Sequence, residues 1–403
     1  MKFNNRSFKP GRGYLFKIGI RNKSFLEKLS KTILKKTLSP YPNELFSSWI
    51  ARNATANFMQ TPTFVNNYFP QYKNKIFNRD TDILIDDNIA ETFANRMSFK
   101  KELIFSTSLQ SYKGYLSENI RIDIRNPLIS TCKIRGTYPN LRGLKYCPLC
   151  LKEKEFFKKE WRLSFYTICT KHKCFLIDEC PQCKEPISII KRKREIDSFN
   201  CWNCGYFFKN SEIEFVHKES QSVNLLQNTI EILNKGYFRI NNNYYYSIFY
   251  FQILRHISKL IYQHGYRNYA LLKKECELHN ILITDNKLLK SKFMEETISL
   301  KDAFVVFTAS IKILTTIENF NSFIKSNNIP IYLLNRDMSY IPFWYKINIE
   351  KYYKQPYTPP FEEVKYAVQW MKRNNINPSL KSLSELFGVY LGKRKDIRCL
   401  IFS

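Results

Sequence analysis

Cys147-Pro148-Leu149-Cys150, Cys169-Thr170-Lys171-His172, Cys180-Pro181-Gln182-Cys183 and Cys201-Trp202-Asn203-Cys204-Gly205 follow one another in a single stretch of the chain. Each is a C-x2-C or C-x2-H knuckle, a spacing that curls the backbone until both side chains face one cation. Eighteen residues separate the first two knuckles and seventeen separate the last two. Two knuckles complete a tetrahedron. The spacing therefore predicts a site of three cysteines and one histidine from Cys147, Cys150, Cys169 and His172, and a four-cysteine site from Cys180, Cys183, Cys201 and Cys204. Thiolates with one imidazole suit Zn2+, with rubredoxin-type iron the minor alternative. Sequential pairing is the simplest arrangement, but an interleaved cross-brace would use the same eight ligands. Cys174 could stand in for His172; C-x2-H matches the other knuckles better.

These sites read as structural. A catalytic zinc keeps an open position beside three protein ligands, whereas both sites here are filled by four good donors. No HExxH is present, and no H-x-E precedes a P-C-x-x-C deaminase pattern. Structural zinc supplies about 10–16 kcal/mol of folding free energy, more than a loop-rich segment of this size gains from its own core. The remaining cysteines, Cys132, Cys276 and Cys399, stand alone and read as ordinary core or surface residues. His217, His256, His264 and His279 show no ligand spacing. No nucleophilic Cys-His pair and no catalytic residue is expected, so the chain does not read as an enzyme.

Composition points to a polyanionic partner. The 403 residues carry 64 Lys+Arg against 35 Asp+Glu, a formal net charge of +29. Such an excess repels itself unless a polyanion neutralises it, and double-stranded DNA is the natural candidate. The longest apolar stretch, 303–314, contains Lys312 and is too short to span a bilayer. Lys17 interrupts the apolar run 14–20, so no signal peptide is read. Together these readings predict a cytoplasmic protein without a membrane partner, whose cysteines serve metal and not disulfides.

Along the chain, residues 1–39 form a basic arm. Asn43 is positioned to cap a helix whose apolar side is Leu45, Phe46, Trp49, Ile50 and Phe58, with Arg52 projecting from it. We expect a helical, helix-turn-helix-like domain over 40–143, a double zinc-binding module over 144–212 and a helical domain over 213–355. Helical periodicity recurs through 221–233, 249–263, 268–279 and 300–326. The prolines of 355–360 act as a linker into a C-terminal helix-turn-helix-like domain, 356–403. There Leu380–Phe387 is the first helix, Gly388 the turn, and Tyr390–Cys399 the second helix. The fold class is thus mainly α with a central double zinc-finger module of knuckle or ribbon type. Candidate nucleic-acid contacts are Arg52, the run Lys191, Arg192, Lys193 and Arg194, and Lys393, Arg394, Lys395 and Arg398. Trp161 is expected to pack the zinc module and not to stack on a base.

The chain resembles the TniQ/TnsD family of transposon target-selection proteins. The resemblance is carried by Gly143-Leu144-Lys145-Tyr146-Cys147-Pro148-Leu149-Cys150-Leu151, Trp161-Arg162, Cys169, His172, Leu176 and the last two knuckles. Pro42-Asn43-Glu44-Leu45, Trp49 and Arg52 match the family's opening helix, and Ile341-Pro342-Phe343-Trp344-Tyr345 its later aromatic segment. The resemblance implies a non-catalytic adaptor that recognises a target, either DNA directly or a CRISPR effector complex. It also implies recruitment of an AAA+ ATPase regulator that brings in the transposase. The eight ligands carry over residue by residue; the arm before Pro40 does not match. Homodimerisation is left open by the sequence.

Overall fold

A computed structural model describes residues 34, 36–122, 124–132, 141–190, 199–240, 243–263, 270–281, 298–335, 338, 340–353, 358–392, 394 and 396–402. The basic arm ahead of residue 34, the run Lys191–Arg194, Lys393 and Lys395 lie outside these residues. The chain divides into two compact units, Met1–Asn328 and Ile329–Ser403. It is mostly helical, and among the described residues its only sheets are two short antiparallel pairs.

The first unit opens with six helices: α1 (Phe46–Ala56), α2 (Thr61–Tyr68), α3 (Lys73–Asn78), α4 (Thr81–Leu84), α5 (Asp87–Met97) and α6 (Lys101–Phe105). Phe46, Trp49, Phe64, Phe69 and Phe93 meet in their core, with Phe69 stacked on Phe93 at 3.7 Å between ring centres. The expected aromatic stripe of α1 is therefore core, with one exception. Phe58 lies past the helix end at φ +55° and is 94% exposed.

Asn43 does not cap α1. Its backbone turns through φ +60°, and its carbonyl accepts a hydrogen bond from Lys159 N at 2.7 Å. Leu45 N donates to Phe157 O at 2.8 Å, and α1 starts only at Phe46. The sequence pattern of a cap is present, but the backbone before α1 is committed to bridging a distant strand-like segment, 157–159. That long-range pairing overrides the local capping preference.

Beyond the metal-binding segment come α8 (Ser222–Lys235), β3 (Tyr237–Ile240), β4 (Asn243–Tyr246), α9 (Ser247–Gln263), α10 (Ala270–Leu278), α11 (Leu300–Ile313) and α12 (Ile317–Asn327). Gly236 ends α8 at φ +78°, the left-handed position that glycine adopts without strain. The apolar stretch within 303–314 forms α11 and is buried against α9, where Ser258 Oγ donates to Ser310 Oγ at 2.9 Å. The helical pattern over 300–326 breaks into α11 and α12 because the Thr316 hydroxyl caps the second by accepting from Asn319 N. No described helix is long and apolar enough to cross a membrane.

The second unit holds α13 (Ile331–Asn335), α14 (Phe343–Tyr352), α15 (Phe361–Arg373), α16 (Leu380–Phe387) and α17 (Arg398–Phe402). In α14, Trp344 and Tyr345 are buried while Phe343 is exposed. Ser379 and Ser382 form a reciprocal capping box at the start of α16, and Gly388 ends it at φ +66°. The expected second helix over 390–399 is not found: among the described residues between Gly388 and Ile397 there is none, and α17 begins at Arg398. Gly392 and a dense run of like charges make this stretch a poor helix former. Leu391 and Ile397 instead drop into the core formed by Val364, Val368, Met371 and Leu383.

Candidate metal centres

The eight predicted ligands group sequentially. Cys147, Cys150, Cys169 and His172 bring their ligand atoms within 4.8 Å of one another, and so do Cys180, Cys183, Cys201 and Cys204. The interleaved alternative is thereby set aside. The first centre is assembled from the N-terminus of α7 (Pro148–Glu153) and the hairpin of β1 (Ile168–Cys169) and β2 (Cys174–Phe175). Cys147 sits at the N-cap of α7, where Cys150 N points at its sulfur at 3.5 Å. The other knuckles turn through left-handed residues. Lys173 N donates to Cys169 O, Lys184 N to Cys180 O and Gly205 N to Cys201 O, each at 2.8–2.9 Å.

Edge lengths test the fit to a metal. A tetrahedral zinc with bonds of about 2.3 Å to sulfur and about 2.0 Å to nitrogen sets S–S edges of roughly 3.8 Å and S–N edges of roughly 3.5 Å. In the first centre Cys150 Sγ lies 3.7 Å from Cys169 Sγ. His172 Nδ1 lies 3.4, 3.3 and 3.6 Å from the sulfurs of Cys147, Cys150 and Cys169. In the second, Cys180–Cys204 is 3.6 Å and Cys183–Cys201 is 3.5 Å. Three thiols and an imidazole at these spacings fit a tetrahedral metal ion. The other ring nitrogen of His172 lies 3.1 Å from Glu153 Oε1, the outer-shell carboxylate that commonly orients a ligating histidine.

Burial differs between the centres. Cys147, Cys150 and Cys169 are buried; Cys183 is half-buried and Cys204 exposed. The first centre is also bolted to the helices before it. Arg162, wholly buried, reaches Asp80 and Asp82 and donates to Ser130 O at 2.8 and 3.1 Å. Asp82 also accepts from Ser47 N on α1 at 2.8 Å. Burial and the neighbouring Asp80 push the Asp82 carboxyl up to about 6, against the opposing pull of Arg162. Burial alone would lower Arg162, yet Asp80 and Asp82 together hold its guanidinium above its ordinary value. Trp161 is buried edge-on to Phe157, as packing of the module requires. Behind the hairpin, Phe175 meets Phe304 of α11 at 4.8 Å and Phe165 stacks on Phe251 of α9.

Of the expected nucleic-acid residues that are described, two are engaged inside the protein. Arg52 lies on α1 with its guanidinium on the buried Glu44 at 2.6 and 2.8 Å and over the ring of Tyr41. Arg394 pairs with Asp396 and donates to Pro359 O. Arg398 is exposed at the start of α17. Sequence reasoning does not single out Asp80, Asp82 or Glu153; no spacing rule links an aspartate to an arginine eighty residues later.

The architecture defines a helical protein organised on two closed Cys/His centres. Residues 36–176 match the family model TniQ, a span that includes the first centre, Arg162, and its partners Asp80 and Asp82. The chain thus carries a TniQ domain over these residues, about a third of its length. TniQ domains are known as accessory domains, and the match implies a transposon-associated target-selection role. No curated protein matches the chain.

Proposed function

We propose that the protein is the non-catalytic target-selection subunit of a transposon, which binds target DNA and recruits an AAA+ regulator and, through it, the transposase. The observation that carries this reading is a TniQ domain continuous with a closed centre of three cysteines and one histidine. In this reading each centre holds one Zn2+, and both ions are structural. Their ligand sets leave no open position for substrate or water, so the ions stabilise the fold and do not turn over.

DNA affinity then comes from the +29 net charge, concentrated in the arm before residue 40, in Lys191–Arg194 and around Arg398. If about eight phosphates are neutralised, log K falls with log[salt] at a slope of roughly −7. Titrating the purified chain against duplex DNA at several salt concentrations tests this. A flat response combined with capture of a CRISPR effector complex would replace direct DNA binding by docking on that complex. The internal pairing of Arg52 and Arg394 leaves those two side chains to the fold and favours contacts elsewhere.

A further inference from the structure

A fourth sulfur lies against the first centre. Cys174 Sγ is 3.6 Å from Cys147 Sγ, against 3.7 Å between Cys150 and Cys169 and 3.6 Å between Cys180 and Cys204. It is fully buried, directly across the hairpin from Cys169 in the β1–β2 register. Its backbone is clamped on both sides: Cys169 pairs with it on one edge and Phe215 bridges it on the other. His172, by contrast, sits at the solvent edge, its side chain 14% exposed and held outward by Glu153. The donor most open to solvent is thus the imidazole, while a buried thiol in contact with Cys147 is not among the four.

We propose that the first centre is a five-donor site in which Cys174 is a reserve thiolate, able to take the fourth coordination position when His172 leaves the ion. The inference rests on the reading of this centre as a zinc site. The exchange conserves charge and atoms simply: the Cys174 thiol loses its proton to solvent as a Zn–S bond forms, and the Zn–N bond to His172 breaks. A centre of three thiolates and one imidazole becomes a centre of four thiolates without losing the metal, and the His172 imidazole is released at the surface.

The test uses the full-length chain with Zn2+ for stoichiometry and Co2+ for spectroscopy, since thiolate-to-cobalt charge-transfer absorption grows with the number of bound thiolates. Wild type should hold two ions. His172→Ala should still hold two, with the charge-transfer band raised by about one part in seven as seven bound thiolates become eight. Cys174→Ser should match wild type in stoichiometry and spectrum, and the double variant should keep only the second centre's ion. His172→Ala holding one ion, or two without the added intensity, overturns the proposal, and so does loss of an ion in Cys174→Ser. Should His172→Ala not fold, chelator-driven release decides: the first ion should leave Cys174→Ser several-fold faster than wild type, and equal rates overturn the reserve role. A wild-type chain that takes up no ion refutes the zinc reading itself.

Discussion

Arg162 shows most directly how one residue joins metal module and helical layer. Its five donors serve two carboxylates and a backbone carbonyl in a fully buried site, and removing it leaves Asp80 and Asp82 buried and uncompensated. Arg162→Ala should destabilise the protein by about 3–5 kcal/mol. Arg162→Lys should recover only part of this, because a point charge cannot reproduce the fork. Denaturant unfolding of both variants checks the order; an alanine variant within about 1 kcal/mol of wild type would contradict it. Lys159 gives a pH signature. It is buried beside Tyr112 with Nζ on Ser111, and burial lowers it from 10.5 to about 8. Between those values the unfolded chain carries a proton that the folded chain lacks, so stability rises with pH from about 8 to 10.5. Below 8 both states are charged and this dependence vanishes. Lys159→Met should remove that rise, on the order of 3 kcal/mol, measured as the difference in unfolding free energy across the window. The two Cys/His groups were legible because each knuckle is local. The Arg162 network was not, because its partners are far apart in sequence and a lone Asp-x-Asp signals nothing by itself.

At the scale of elements, local rules were followed where nothing distant competed. The capping box at Ser379 and the glycine stops at Gly236 and Gly388 end helices as their chemistry dictates. Where tertiary pairing intervened, the same rules misled: Asn43 spends its backbone on the 157–159 segment, and the described residues between Gly388 and Arg398 form no helix while Leu391 and Ile397 fill the core. The strand-like segment leading into the first centre depends on one glycine. Gly143 lies so close to Thr131 that a Cβ there would fall on the Thr131 carbonyl, which is backbone and cannot step aside. Gly143→Ala should therefore cost about 1–3 kcal/mol or more and lower the melting temperature without altering the ligands. An unchanged melting temperature would show that the backbone at Gly143 stands further from Thr131 than this contact requires.

At the scale of the whole molecule, the first centre is the hub of the first unit. The segment 43–45 ahead of α1 pairs with 157–159 beside it, Arg162 ties it to Asp80 and Asp82, and Phe165 and Phe175 plug into α9 and α11. The predominance of helix and the pair of four-donor groups were both readable from spacing and periodicity. The way the knuckles lock into the preceding helices was not, since it rests on contacts between segments that no window spans. A protein so assembled should need its metal to fold, with zinc contributing about 10–16 kcal/mol per structural site. The most direct test is metal content and thermal unfolding of the full chain beside two variants that each lose a whole knuckle, Cys147→Ser/Cys150→Ser and Cys180→Ser/Cys183→Ser. Two zinc ions in the wild type, one in each variant, and loss of cooperative unfolding in the first variant are the predicted results. A wild type without zinc, or a first variant that keeps both ions and unfolds as wild type does, would contradict the account.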